Sequence, residues 1–281
     1  MQSYAEIKYL KPNVGHFPTL TSSVINGFSW GKDAGNMSFT FGSVSEVLKR
    51  QQTFFNDLSL GRVRDCVTLI PEHQDRIVDL TSELKDSLKV TAVGAGIKAD
   101  AIFTHLKDQT LVVKPADCTT ALIYAIDSEG REVIGIVHSG WRGVDAELPK
   151  KSIQHLIDVY RVRPEDIRLS ILPHIFKEHR TQETIDTYKN LEKYGQFMEK
   201  KGELWHFDEC GCALSQYQDT GVLDENIEIY NIDTYAEAEK GNTFSQKLEV
   251  NQKRQGIEPN IGRFIAVIMM TKNQSLKASS K

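Results

Sequence analysis

No stretch of this chain stays apolar for long. The longest clean run, Phe264-Ile-Ala-Val-Ile-Met-Met270, has seven residues, against the roughly 20 that a membrane-spanning helix needs. No membrane partner is expected. The opening residues Met1 to Lys8 lack the apolar core of a secretory signal. Cysteine is scarce as well. Four in 281 residues cannot form the disulfide framework of a small secreted domain, so a cytoplasmic protein with reduced thiols is expected. Charge of one sign is also missing. The 34 Lys and Arg against 38 Asp and Glu leave a net −4, which argues against an electrostatic grip of the whole protein on nucleic acid, and no nucleic-acid partner is expected. There is no internal repeat, no low-complexity block and no Pro/Ser-rich linker. Gly94-Ala-Gly96 lacks the third glycine and following helix of a dinucleotide loop, and reads as a turn.

What remains is an ordinary globular composition, 40% hydrophobic and 26% charged, enough to build a core. One continuous domain over residues 1–270 is expected, with a frayed polar tail over 271–281. The first 40 residues suggest short strands and turns. Ser43-Val-Ser-Glu46 has the spacing of a capping box, and Val47, Phe54 and Leu58 place an amphipathic helix over 44–58. Strands are expected over 65–70, 90–93, 100–103, 110–114, 167–172, 227–232 and 264–270. Helices are expected over 147–160, 181–200 and 212–219. Strands and helices mix without strict alternation, which favours α+β or a mixed sheet over a doubly wound parallel one.

The chemistry concentrates around one hairpin. Thr119–Ile126 and Glu132–Val137 are rich in β-formers and are joined by the polar Asp127-Ser-Glu-Gly-Arg131. With the turn centred on residue 128, Cys118 and His138 are equidistant from it and are expected side by side at the open end, with Cβ atoms about 4.5–5.5 Å apart. That spacing suits two ligands of one metal ion, or a thiolate–imidazolium pair. The plainer reading is a buried small thiol beside a strand-end histidine. Asp117 and Arg142 are charged residues at the hairpin's end that an apolar strand pair does not need. Arg142 suits a phosphate or carboxylate, which its guanidinium can grip bidentately. Lys114 is a second candidate for phosphate. His73 sits where a strand run leaves for a polar turn. Cys210-Gly-Cys212 lacks a second ligand pair at metal spacing, and Cys66 lies in an apolar run, so these three read as ordinary thiols.

Pro115-Ala-Asp-Cys118, His138-Ser-Gly-Trp-Arg-Gly143 and the His73 turn together resemble the laccase-domain family, also described as polyphenol-oxidase-type or zinc-dependent purine nucleoside phosphorylases. The likeness runs from about Val24 to Arg263 and is most specific in the middle. It implies a four-layer α/β/β/α fold with mixed β-sheets. It implies one Zn2+ held by His73, Cys118 and His138. It further implies phosphorolysis of adenosine, inosine, guanosine and methylthioadenosine, deamination of adenosine, and hence purine nucleoside and phosphate as partners. Some members are instead tied to amidase action on a peptidoglycan precursor.

One thiolate and two imidazoles leave an open fourth position, as in catalytic zinc sites, where bound water ionises near pH 7. Copper is the lesser alternative. The eight histidines include no H-x-H pair, so oxidase chemistry is not expected. The chain departs from the family pattern at 28–32, at Pro71, over 172–182, at 233–234 and at 245–247, positions expected to line the substrate pocket. His174, in the second of the longer departures, is thereby a candidate substrate contact. Asp117 is a candidate to shuttle a proton or orient a histidine. The rival readings are a metal-free hydrolase with Cys118 as nucleophile and His138 as base, and a zinc-binding protein without catalysis.

Overall fold

The computed structural model describes residues 1–18, 20 and 23–272; most of the expected polar tail lies outside them. Two seven-stranded mixed sheets form the centre. The first runs Gln2–Tyr4, Ile227–Tyr230, Arg168–Ile171, Thr119–Ile126, Glu132–Ser139, Ala101–Thr104, Ile77–Asp79. The second runs Tyr9–Lys11, Val14–Gly15, Val24–Ser29, Ala266–Met270, Leu111–Val113, Val67–Ile70, Ala95–Lys98. Segments distant in sequence are interleaved: Gln2–Tyr4 pairs with Ile227–Tyr230, and Ala266–Met270 lies between Val24–Ser29 and Leu111–Val113.

Strand alternation explains the layering. In Thr119–Ile126, Leu122 and Tyr124 face the second sheet, where they meet Leu111, Val113 and Ile268. Ala121, Ile123 and Ala125 point the other way, onto the helices Leu148–Tyr160 and Glu209–Gln218. A strand buried on both faces reads as a continuous apolar run, and the eight residues TTALIYAI are such a run. The outer face of the second sheet, with Val112, Val267 and Met269, packs on Phe54 and Phe55 of the helix Val44–Asp57. Each fully buried Leu, Ile or Phe contributes about 1.5–3 kcal/mol. The result is the expected four-layer α/β/β/α arrangement.

Local expectations fail where tertiary contacts outbid the pattern. Ser43 is the N-cap of its helix but does not close a capping box; its hydroxyl pairs with that of Ser45 at 2.8 Å. No strand forms over 90–93, where Thr91 and Gly94 make only an isolated bridge. The expected helix over 181–200 is largely a small sheet and turns. Thr181–Gln182 and Met198–Lys201 flank Leu204–Phe207 in a three-stranded sheet, and only Leu191–Tyr194 is α-helical. There Tyr188, Tyr194 and Phe207 collect around Val144 and Cys212 rather than along one helical face. The buried Asp145 carboxylate accepts the amides of Lys189 and Asn190, fixing that irregular path. Among the described residues, no helix is long and apolar enough to cross a membrane.

Candidate active site

The hairpin forms at the expected place in a different register. Ile126 pairs with Glu132 and Thr120 with His138. The loop is the expected Asp127–Arg131, but its five residues centre on 129 rather than 128, and the Asp127 carboxylate closes it by accepting the amides of Glu129 and Arg131. Continued one residue further, this register sets Cys118 opposite Gly140, and His138 becomes its diagonal neighbour. The two still share one strand face, since partners shift in steps of two. That face is the one turned toward the second sheet. A Cβ on Gly140 would lie 2.9 Å from Cys118 Sγ and 4.0 Å from His138 Cε1. The glycine leaves the space between thiol and imidazole open.

His73 arrives from the other sheet, in the loop after Val67–Ile70. Its φ of +58° is unusual for a residue with a side chain. Asp100 sustains it. This carboxylate, fully buried, accepts the backbone amides of Glu72, His73 and Gln74 at 3.0, 2.7 and 3.1 Å. The Asp100 carbonyl also accepts the His138 amide at 2.8 Å. One residue thus joins the His73 turn to the His138 strand. The two imidazoles meet edge to face, with centroids 5.4 Å apart. Nothing in the hydrophobic pattern singles out Asp100, because its role is made entirely by backbone groups from elsewhere in the chain.

His73, Cys118 and His138 all line a cavity of about 1150 Å3 between the ends of the two sheets. Burial, and secondarily His73, pushes the His138 pKa down to about 3, so its ring is neutral. Its buried Nδ1 has no hydrogen-bond partner. Burial, reinforced by the Glu209 carboxylate and opposed by Arg180, raises the Cys118 thiol above its ordinary range. Burial thus favours the neutral form of both groups over a thiolate–imidazolium pair. An orphaned imidazole nitrogen, a thiol and a second imidazole are donors that suit a soft or borderline cation. Among the described residues, however, no three His, Cys, Asp or Glu side chains are gathered into a ready-made metal cage.

The remaining candidates divide. Lys114 and Arg142 line the cavity. Lys114 Nζ sits 5.2 Å from the Phe39 ring centre, and the exposed Arg142 guanidinium lies 4.3 Å from that of Trp141. Asp117 also lines the cavity, but its carboxylate is occupied. It accepts the hydroxyls of Thr234 and Ser245 at 2.8 and 3.0 Å and the Lys247 amide at 2.7 Å. Burial outweighs these bonds and raises its pKa. His174 does not reach the cavity. It is buried, and its Nδ1 meets the Leu172 carbonyl at 3.0 Å. His179, in the same segment, stacks on Tyr235 and bonds Asp233. Cys210 and Cys212 belong to separate apolar clusters, and Cys66 is buried.

Several cavity residues escape the sequence reading, Arg180, Glu209 and Arg263 among them. Arg180 Nε donates to Glu209 Oε2 at 3.0 Å, and Glu209 Oε1 accepts the Thr119 amide at 3.0 Å. The signals were present: Arg180 lies in the longest departure from the family pattern, and Glu209 is a charge at the head of an otherwise apolar helix start.

The chain is similar to known proteins along most of its length. The YfiH protein of Bacillus licheniformis superposes with a TM-score of 0.79 at 19% identity, covering 95% of this chain and all of that one. YlmD of Geobacillus stearothermophilus superposes with a TM-score of 0.74 at 17% identity, over 95% and 99% of the two chains. Among curated relatives, a purine nucleoside phosphorylase of Clostridium acetobutylicum is 29% identical over 52% of this chain and 54% of its own length. One of Staphylococcus epidermidis is 28% identical over 62% and 65%. The matched region thus spans about half the length of the first of these relatives and two thirds of the second. The model of the family described as multi-copper polyphenol oxidoreductase laccase matches residues 22–271, nearly the whole described chain, and the chain belongs to that family.

Proposed function

We propose that this cavity performs zinc-dependent phosphorolysis of purine nucleosides, with adenosine, inosine, guanosine and methylthioadenosine as substrates, and deaminates adenosine at the same site. One convergence carries the reading. His73, Cys118 and His138, delivered by two different sheets, share a cavity with Lys114 and Arg142, and among the described residues neither cation is paired with a carboxylate. The names of the relatives support the same class of reaction.

His73, Cys118 and His138 would hold the ion, which would supply Lewis acidity and positive charge beside the substrate. Cys118 would bind it as thiolate, giving up the proton that burial otherwise retains. In phosphorolysis, phosphate oxygen attacks the ribose anomeric carbon, the bond to the base breaks, and the base leaves with a proton. Lys114 and Arg142 balance the phosphate charge. Trp141, Phe39 and Phe41 offer apolar faces to the nucleoside. Asp117, engaged at both oxygens, ties the loops around Thr234 and Ser245 to the motif that carries Cys118, an orienting role rather than a proton relay.

Metal content and product analysis test this. Purified chain should hold zinc in a one-to-one ratio and convert adenosine and inosine to free base only when phosphate is supplied. Activity that survives exhaustive chelation would establish the metal-free hydrolase instead. No product from any purine nucleoside, with zinc bound, would favour an amidase or a non-catalytic zinc protein.

A further inference from the structure

The cavity's cations are not equivalent. Lys114, Arg142 and Arg263 each sit over an aromatic ring, those of Phe39, Trp141 and Phe41. Arg180 is instead held by a deeply buried carboxylate, Glu209, which is 1% exposed, at 3.0 Å, whereas the contact of Arg263 with the Glu249 carboxylate is longer, 3.7 Å. A single buried ion pair is poor evidence for stability, because desolvation consumes most of its Coulomb gain. Its geometry, however, fixes a guanidinium. Glu209 takes the Arg180 Nε proton on one oxygen and the Thr119 amide on the other. The guanidinium is therefore tied to the backbone one residue past Cys118. Among the described residues, neither terminal nitrogen of Arg180 has a hydrogen-bond partner, and neither is a sealed, orphaned atom. The side chain remains 18% exposed and lines the cavity.

A guanidinium bound through Nε leaves the fork of its terminal nitrogens free, and that fork matches the oxygens of phosphate. Arg142 offers the same chemistry from an exposed position, where solvent screens it. Arg180 offers it already oriented and largely desolvated, so an anion binds with little further ordering.

We infer that Arg180, locked by Glu209, is the anchor for a tetrahedral oxyanion in this cavity, with Arg142 as an outer contact. That the oxyanion is the phosphate co-substrate rests on the phosphorylase reading; that Arg180 binds an oxyanion does not. The test uses the full chain as purified, with its metal content determined, and inorganic phosphate as the probe, followed by titration calorimetry and 31P line broadening. Arg180→Lys keeps the charge and loses the fork. Arg180→Met combined with Glu209→Met removes the pair together, so that no buried charge is left alone.

The double variant should bind phosphate at least about tenfold more weakly, Arg180→Lys should fall between it and the parent, and Arg142→Gln should cost about threefold or less. Metal content should not change. If turnover occurs, KM for phosphate should rise while KM for the nucleoside holds. Unchanged phosphate affinity in both Arg180 variants overturns the anchor, and so does a parent chain that binds no phosphate. Phosphate binding that depends on Arg180 without any nucleoside cleavage upholds the anchor and removes the phosphorylase reading. Nucleoside cleavage with an unaltered phosphate KM in both variants does the reverse.

Discussion

Cys118 stands opposite Gly140, and the missing side chain at 140 is what leaves room between the Cys118 thiol and the His138 ring. Gly140 has an extended backbone, φ −68° and ψ 173°, so any residue could adopt its conformation. The constraint there is space alone. Gly140→Ala would set a methyl carbon 2.9 Å from Cys118 Sγ. The thiol must rotate away. The expected cost is about 1–3 kcal/mol of stability, with loss of bound zinc from a folded chain. Denaturant unfolding and metal analysis read both effects; a stoichiometric zinc content in this variant would contradict the placement.

Removing the thiol itself separates ligand from scaffold. Cys118→Ala should abolish stoichiometric zinc and turnover while costing about 1 kcal/mol or less in stability, because little packed volume is lost. His138→Ala and His73→Ala should each lower zinc affinity in the same way. Zinc retained by Cys118→Ala would place the ligands elsewhere.

Asp100 is expected to matter as much as a ligand without touching one. Three amides around His73 depend on its carboxylate. Asp100→Ala leaves them unpaired in the interior, at a cost of about 3 kcal/mol or more. Zinc affinity should fall about 10- to 100-fold, as it does when groups orienting a ligand are lost. Asp100→Asn should show part of both effects. The comparison of zinc titration with urea unfolding checks this, and a destabilised variant with full zinc affinity would refute the linkage.

Acid stability should register the Asp79 cluster on the helix side of the first sheet. Burial pushes the Asp79 carboxyl up, but hydrogen bonds from His155 at 2.8 Å and Tyr160 at 2.7 Å outweigh it and leave the pKa below its ordinary value. A depressed carboxylate adds stability that is fully present above its unfolded pKa, about 4, and is lost as pH falls through the folded value. Unfolding free energy should therefore decline below about pH 4. Asp79→Asn should flatten that decline and lower stability at neutral pH. An unaltered acid limb would count against the cluster.

Much of this was written in local pattern. Thr119–Ile126 and Glu132–Ser139 are strands because runs of β-branched and apolar residues suit a sheet buried on both faces. The helix Val44–Asp57 follows from Val47, Phe54 and Leu58 at helical spacing. The motifs around Cys118 and His138 were legible because their residue types have no reason to end an apolar strand pair. The segment 183–200 was not legible. Its aromatic residues at near-helical spacing are drawn into a cluster under Val144, and partners that distant leave no periodic trace.

The sequence by itself determined that the chain is a mixed α/β protein and where its central hairpin lies, and it singled out one thiol and two histidines that line one cavity, because periodicity and residue type act locally. Only the structure showed that the pairing centres on residue 129, the middle of the Asp127–Arg131 loop, which carries Cys118 opposite Gly140. Only it brought His73 across from the second sheet through Asp100, moved His174 out of the cavity, and set Arg180 against Glu209. Those relationships join residues tens of positions apart through backbone amides and buried carboxylates, and contacts of that kind come into being when the two sheets close on one core.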